Sequence, residues 1–137
     1  MGMMSMRLRV GVASIGFLAL TLGACAGTQV SAQRAEFVST IPTCVSDKEC
    51  ELKWAAARRW VLQTSPYRIQ HMTNDFLETY NSEPHSPKLA VRVVKEPVDA
   101  TRYRIVVTTG CNNMFGCFPD SWEAALSFNR YVNAVSP

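Results

Sequence analysis

In LAVRVVKEPVDATRYRIVVTTG, residues 89–110, Leu89, Val91 and Val93 alternate with Ala90, Arg92 and Val94; Tyr103, Ile105 and Val107 then alternate with Arg104, Val106 and Thr108. Successive side chains of a strand point to opposite faces, so a two-residue period marks strands with one face buried. The residues between, Pro97 to Thr101, are short, polar and proline-containing, which predicts an antiparallel hairpin. Two weaker strands precede it. Tyr67 to Gln70 alternates, Thr73-Asn74-Asp75 makes a turn, and Phe76 to Tyr80 follows; Asn81 to Pro87, with two prolines, is a loop.

A helix flanks the strands on each side. Ser46 and Glu49 form an S-x-x-E capping box, in which each side chain satisfies an orphan amide of the first turn. After it Cys50, Trp54, Ala57 and Val61 recur at helical spacing, and Ser65-Pro66 ends the run, because the residue before proline avoids helical angles. Pro119-Asp120 opens the second helix, with Asp120 and Glu123 as cap and return and Trp122, Ala125, Leu126, Val132 and Val135 on its apolar side. One half-buried sheet and two amphipathic helices predict an α+β two-layer sandwich. Its sheet has four antiparallel strands, with the N-terminal and C-terminal helices on one face, in the order αββββα. Trp54, Trp60 and Trp122 are expected to fill the helix–sheet interface.

Upstream, Arg7 and Arg9 precede an apolar run from Val10 to Leu22 and then the small residues Gly23 and Ala24. That is the layout of an export signal, and the run falls short of the ~20 residues a membrane-spanning helix needs. Leu22-Gly23-Ala24-Cys25 resembles the lipobox of bacterial lipoproteins. The resemblance implies cleavage before Cys25, acyl chains on its thiol, and firm anchoring, since two or more chains are held at ~0.8 kcal/mol per buried CH₂. Ala26 is not the aspartate of inner-membrane retention, so the implied address is the inner leaflet of the outer membrane, facing the periplasm. The mature chain is similar to the small envelope lipoproteins of proteobacteria, a likeness that carries no activity with it. The expected organisation is a signal peptide (1–24), a lipidated tether (25–43) and a small α+β domain (44–137). The tether shows no sustained period; as a coil of about 18 residues it would span ~25 Å.

Without residues 1–24 the chain has 113 residues, enough for one domain, with 12 basic and 11 acidic side chains. No basic stripe survives to neutralise phosphates, so nucleic acid is not an expected partner. Cys44, Cys50, Cys111 and Cys117 remain, an even number in an oxidising compartment. Of three possible pairings the two local ones, Cys44–Cys50 and Cys111–Cys117, are favoured because each brackets a short loop beside a helix start. A four-cysteine zinc site is the competing reading, against which stands the five-residue gap within each pair.

Apart from the lipid on Cys25 no cofactor is expected, and no catalytic or metal-binding set is expected either. His71 and His85 are the only histidines, no G-x-S-x-G elbow or glycine-rich phosphate loop occurs, and the carboxylates are scattered. The segment that stands out is GCNNMFGCF, residues 110–118, with Asn112, Asn113, Met114 and Phe115 as a candidate binding loop. Closure by a disulfide lowers the cost of ordering such a loop on binding. In the competing reading Met114 and Phe118 tuck under the second helix. The expected role is a membrane-anchored module that binds another envelope protein. The alternative is a small-ligand or lipid carrier with space between sheet and helices. A small hydrolase, third, requires His71 or His85 beside a carboxylate in a cleft.

Overall fold

The computed structural model describes residues 24–137; the expected signal segment lies outside them except for its last residue. In chain order the elements are α1 (Ala24–Ser39), β1 (Thr43–Cys44), α2 (Asp47–Thr64), β2 (Ile69–Met72), β3 (Phe76–Thr79), β4 (Ala90–Pro97), β5 (Tyr103–Gly110) and α3 (Ser121–Asn133). The sheet is antiparallel, in the order β1-β5-β4-β3-β2. The α+β class agrees with the sequence reading. Among the described residues the sheet has five strands rather than four, and the helices number three rather than two.

The β4–β5 hairpin is the longest pairing, running from Ala90↔Gly110 to Pro97↔Tyr103. Its turn is closed by Asp99, whose Oδ1 accepts from the amides of Thr101 and Arg102 at 3.0 and 2.9 Å. Those amides and the Arg102 guanidinium, at 2.7 Å, hold the Asp99 carboxyl below the usual carboxylate range. Alternation puts Leu77, Val91, Val93, Ile105 and Val107 on one face, where they meet Ala57, Trp60 and Val61 of α2 and Ala124, Ala125, Phe128 and Val132 of α3. Leu77, Val93, Ile105, Phe128 and Val132 have no exposed surface, so no water-sized space lies beside them. Of the tryptophans only Trp60 is fully in this interface, edge-on to Phe128 at 5.2 Å; Trp54 and Trp122 sit half-buried at its rim. On the opposite face the directly opposed pairs Glu78–Arg92 and Glu96–Arg104 form ion pairs at 2.8 and 2.7 Å.

Both helix starts follow the capping logic. The Ser46 hydroxyl accepts from the Glu49 amide at 3.2 Å, and the Glu49 carboxylate accepts from the amide of Val45, one residue before the cap. At α3, Asp120 Oδ1 accepts from both Trp122 and Glu123 amides, at 2.9 and 3.1 Å.

The two departures lie at the N-terminal side. Strand β1 has two residues, too few to display any period, and exists because Thr43 and Cys44 pair with Arg104 and Tyr103 at the sheet edge. Residues 24–39 are helical where a coil is expected. Helix α1 docks on α3 through a narrow line, Gln33, Phe37 and Thr40, while residues 27–32 are exposed. Phe37 meets Trp122 edge-on at 5.9 Å. The buried Asn129 amide donates to Phe37 O and Thr40 Oγ1, both at 3.0 Å, and Asn133 donates to Thr40 O at 2.8 Å. Those side-chain amides satisfy carbonyls that the helix end leaves open.

Candidate functional site

The cysteines stand as two local pairs, Cys44–Cys50 and Cys111–Cys117, with sulfurs at 1.97 and 2.00 Å and Cα atoms 5.2 and 5.6 Å apart. They are not gathered as four thiolates. The first pair is buried and joins the edge strand β1 to the first turn of α2. Beside it Lys53 Nζ lies 2.8 Å from Glu49 Oε1 and also donates to the Thr43 carbonyl. The Lys53 hydrogen bond, and after it the Val45 amide, hold the Glu49 carboxyl below its ordinary range.

The second pair closes a loop that projects. Cys117 packs against the core, whereas Met114, Phe115 and Phe118 are 86, 93 and 83% exposed. Met114 and Phe118 therefore do not tuck under α3. Asn113 organises the loop: its Oδ1 accepts from the Phe115 amide and its Nδ2 donates to the His85 carbonyl, both at 2.8 Å. Gly116 follows at φ 103°, a left-handed conformation that a side chain would strain. Phe118 N–H donates to Pro87 O at 2.8 Å, a second tie to the 81–88 loop. That loop is itself held by Tyr67, whose hydroxyl lies 2.9 Å from Ser86 Oγ and 3.3 Å from Ser82 Oγ; these bonds lower the Tyr67 pKa, Ser82 contributing most. Asn112 is set apart from the tip and lines a mixed groove with Glu78, Ser82, Val91, Arg92 and Thr108.

The tip thus combines three large apolar side chains on a framework tied at Asn113 and Phe118. Aromatic side chains bury 150–250 Å² each, so the exposed tip offers on the order of 500 Å² of apolar surface. That matches the largest apolar patch of a typical monomer, ~300–600 Å² and often functional, yet falls short of the ~800 Å² per partner of a standard interface. It suits an anchor within a wider contact.

His71 Nδ1 stands 3.8 Å from Glu78 Oε2, but the other Glu78 oxygen already holds Arg92 and His71 sits on the exposed edge strand. His85 lies in the 81–88 loop with φ 61° and contributes its carbonyl, not its ring, to the Asn113 contact. The described residues hold no group of three or more His, Cys, Asp or Glu placed for a metal, and no helix among them is long and apolar enough to cross a membrane. The side chain of Cys25 is outside the described part.

Comparison of the chain with protein-family models, with curated proteins and with solved structures finds no match.

Proposed function

We propose that the chain is a membrane-anchored envelope lipoprotein whose folded domain is a protein-interaction module docking through residues 111–118. The observation that carries this is the exposure of Met114 and Phe115 on one covalently closed loop, with Phe118 exposed immediately after its second cysteine. Large apolar groups are costly to leave in water without a use, and pre-closure of the loop reduces the entropy lost on docking. Aromatic anchors are also the side chains that dominate interface energetics. The lipobox at Leu22–Cys25 supports anchoring through Cys25, and Ala26 supports the outer membrane's inner leaflet as the address.

Site-specific photo-crosslinking in living cells tests the docking role, with the probe in place of Phe115 and a control probe at Ala100 in the exposed turn at the other end of the hairpin. One envelope protein captured at Phe115 and not at Ala100 supports the reading; equal labelling at both, or none at Phe115, rejects it. For the anchor, Cys25→Ser is expected to abolish incorporation of labelled fatty acid, and retained label refutes acylation at that residue.

A further inference from the structure

Strand register builds a groove into the open face of the sheet. Glu78, Arg92 and Thr108 stand opposite one another across β3, β4 and β5, and two residues further along the hairpin Ala90 faces Gly110. Side chains two apart share a face, so these all lie on the side away from the helices. Where the row of longer side chains gives way to a methyl group and a hydrogen, the face sinks into a groove of about 520 Å³, within the ~300–1,000 Å³ of small-ligand sites. A Cβ placed on Gly110 would meet no atom within 4 Å. The end of the groove is held on both sides: Ser82 Oγ donates to Lys88 O at 3.0 Å, and Cys111 is bridged to Cys117. Beside these anchors the lining residues Asn81 and Asn112 are exposed, and like Thr108 their side chains make no hydrogen bond within the described residues.

The chemistry of the lining selects the occupant. Glu78 and Arg92 are its only charged residues and pair with each other at 2.8 Å, so the groove carries no net charge and gives an ionic ligand no net attraction. An alkyl chain would strip water from that ion pair and from the two carboxamides with no hydrogen bond in return. An extended peptide takes its affinity from an unpaired strand edge, whereas the floor lies on β4, which has a strand hydrogen-bonded on each side. What fits is a molecule with an apolar face for the floor and groups around its rim that both donate and accept. A sugar ring lays C–H bonds on one side and hydroxyls around its edge. Adjacent hydroxyls match the Glu78 carboxylate, which accepts, and the Arg92 guanidinium, which donates; each asparagine carboxamide offers the same two functions in one group. The groove is open to solvent, the form that admits a segment of a longer chain.

We propose that this groove is a binding site for a neutral oligosaccharide. It includes Cys111 and Asn112 but none of the exposed apolar side chains of the 111–118 loop, so this reading and docking through Phe115 fail separately.

The test uses the full-length chain in dodecylphosphocholine micelles, whose headgroup carries no sugar. It is titrated with cellotetraose and with tetra-N-acetylchitotetraose while the side-chain amides of Asn81 and Asn112 and the Arg92 Nε–H are followed by NMR. Saturable shifts at these groups are expected. Binding of both sugars assigns the contact to ring hydroxyls, and binding of the second alone assigns it to the acetamido groups. Gly110→Val fills the groove without a clash and is expected to weaken binding roughly tenfold or more without lowering the urea midpoint. Asn81→Ala with Asn112→Ala is expected to weaken it roughly tenfold, as for two neutral hydrogen bonds, read at Arg92. Phe115→Ser is expected to leave it unchanged. Absence of saturable shifts up to about 10 mM, tenfold beyond a millimolar Kd, overturns the proposal. So does binding that survives Gly110→Val, or equal binding of a glycine–serine peptide or of a sulfated oligosaccharide.

Discussion

The chain closes two loops with the same cysteine spacing, at Cys44–Cys50 and Cys111–Cys117, and puts them to opposite ends. In the first, the cysteines are 1 and 7% exposed, a lysine and a glutamate lock beside them, and the bridge fastens the sheet edge to a helix. In the second, the bridge stands at the base and the side chains between and just after the cysteines turn outward. Loop length fixes the closure entropy of each bridge to the same value, ~2 kcal/mol by the chain-entropy relation. The difference lies in what the enclosed residues touch. A polar loop between strand and helix becomes part of the framework, whereas an apolar loop beyond the last strand is held away from it.

Removing each bridge measures that difference. Replacing Cys44 and Cys50 by alanine should cost about 3 kcal/mol, closure entropy plus lost burial, read as a fall in the urea midpoint. Replacing Cys111 and Cys117 by serine should cost less, about 2 kcal/mol, while crosslinking through position 115 drops roughly tenfold because the loop must be ordered on docking. Equal losses for the two pairs would erase the structural half of the contrast.

Glu49→Gln probes the lock of the first loop and should cost about 1 kcal/mol at neutral pH, the size of a helix-cap contact plus a surface pair. The folded-state pKa of Glu49 is lowered. Its stabilisation is therefore complete above the ordinary glutamate pKa of about 4.3 and is lost as the pH falls through the lowered folded value. The difference between wild type and Glu49→Gln should shrink over that acid range and be constant above it; a difference that grows on acidification would contradict the ion-pair assignment. The smallest expected effect is on the projecting loop. Phe115→Ser with Phe118→Ser should change stability by no more than about 0.5 kcal/mol, as for surface positions. A loss several times larger would mean that the side chains pack in solution.

What the sequence disclosed follows from local rules. Ser46, Glu49 and Asp120 marked helix starts because capping is an exchange between residues three apart, and residues 89–110 marked the hairpin because a two-residue period survives over whole strands. Strand β1 left no such trace: its two residues are a strand only by virtue of β5. Helix α1 left none either, because Phe37 is the single large apolar residue in its docking line and the rest of the grip comes from Asn129, Arg130 and Asn133, over ninety residues away in the chain. The loop at 111–118 was legible as a composition, but its sequence also fits Met114 and Phe118 tucked under α3, which the structure overturns, since burial is decided by the shape of the ground beneath. The place of Trp54 was legible only in part: helical spacing puts it on the stripe with Cys50, Ala57 and Val61, expected in the helix–sheet interface, yet it lies half-buried at the rim.

The grip of α3 on the end of α1 has a mechanical consequence. A helix rises 1.5 Å per residue, so the backbone of Cys25 stands roughly 21 Å from Ser39 along a straight rod. A coil of similar reach would let the domain swing through every bearing about its point of attachment. With the proposed acylation at Cys25, tilt and azimuth at the bilayer pass directly into the domain, and the outward loop keeps a set heading relative to the membrane normal instead of sweeping the space around it.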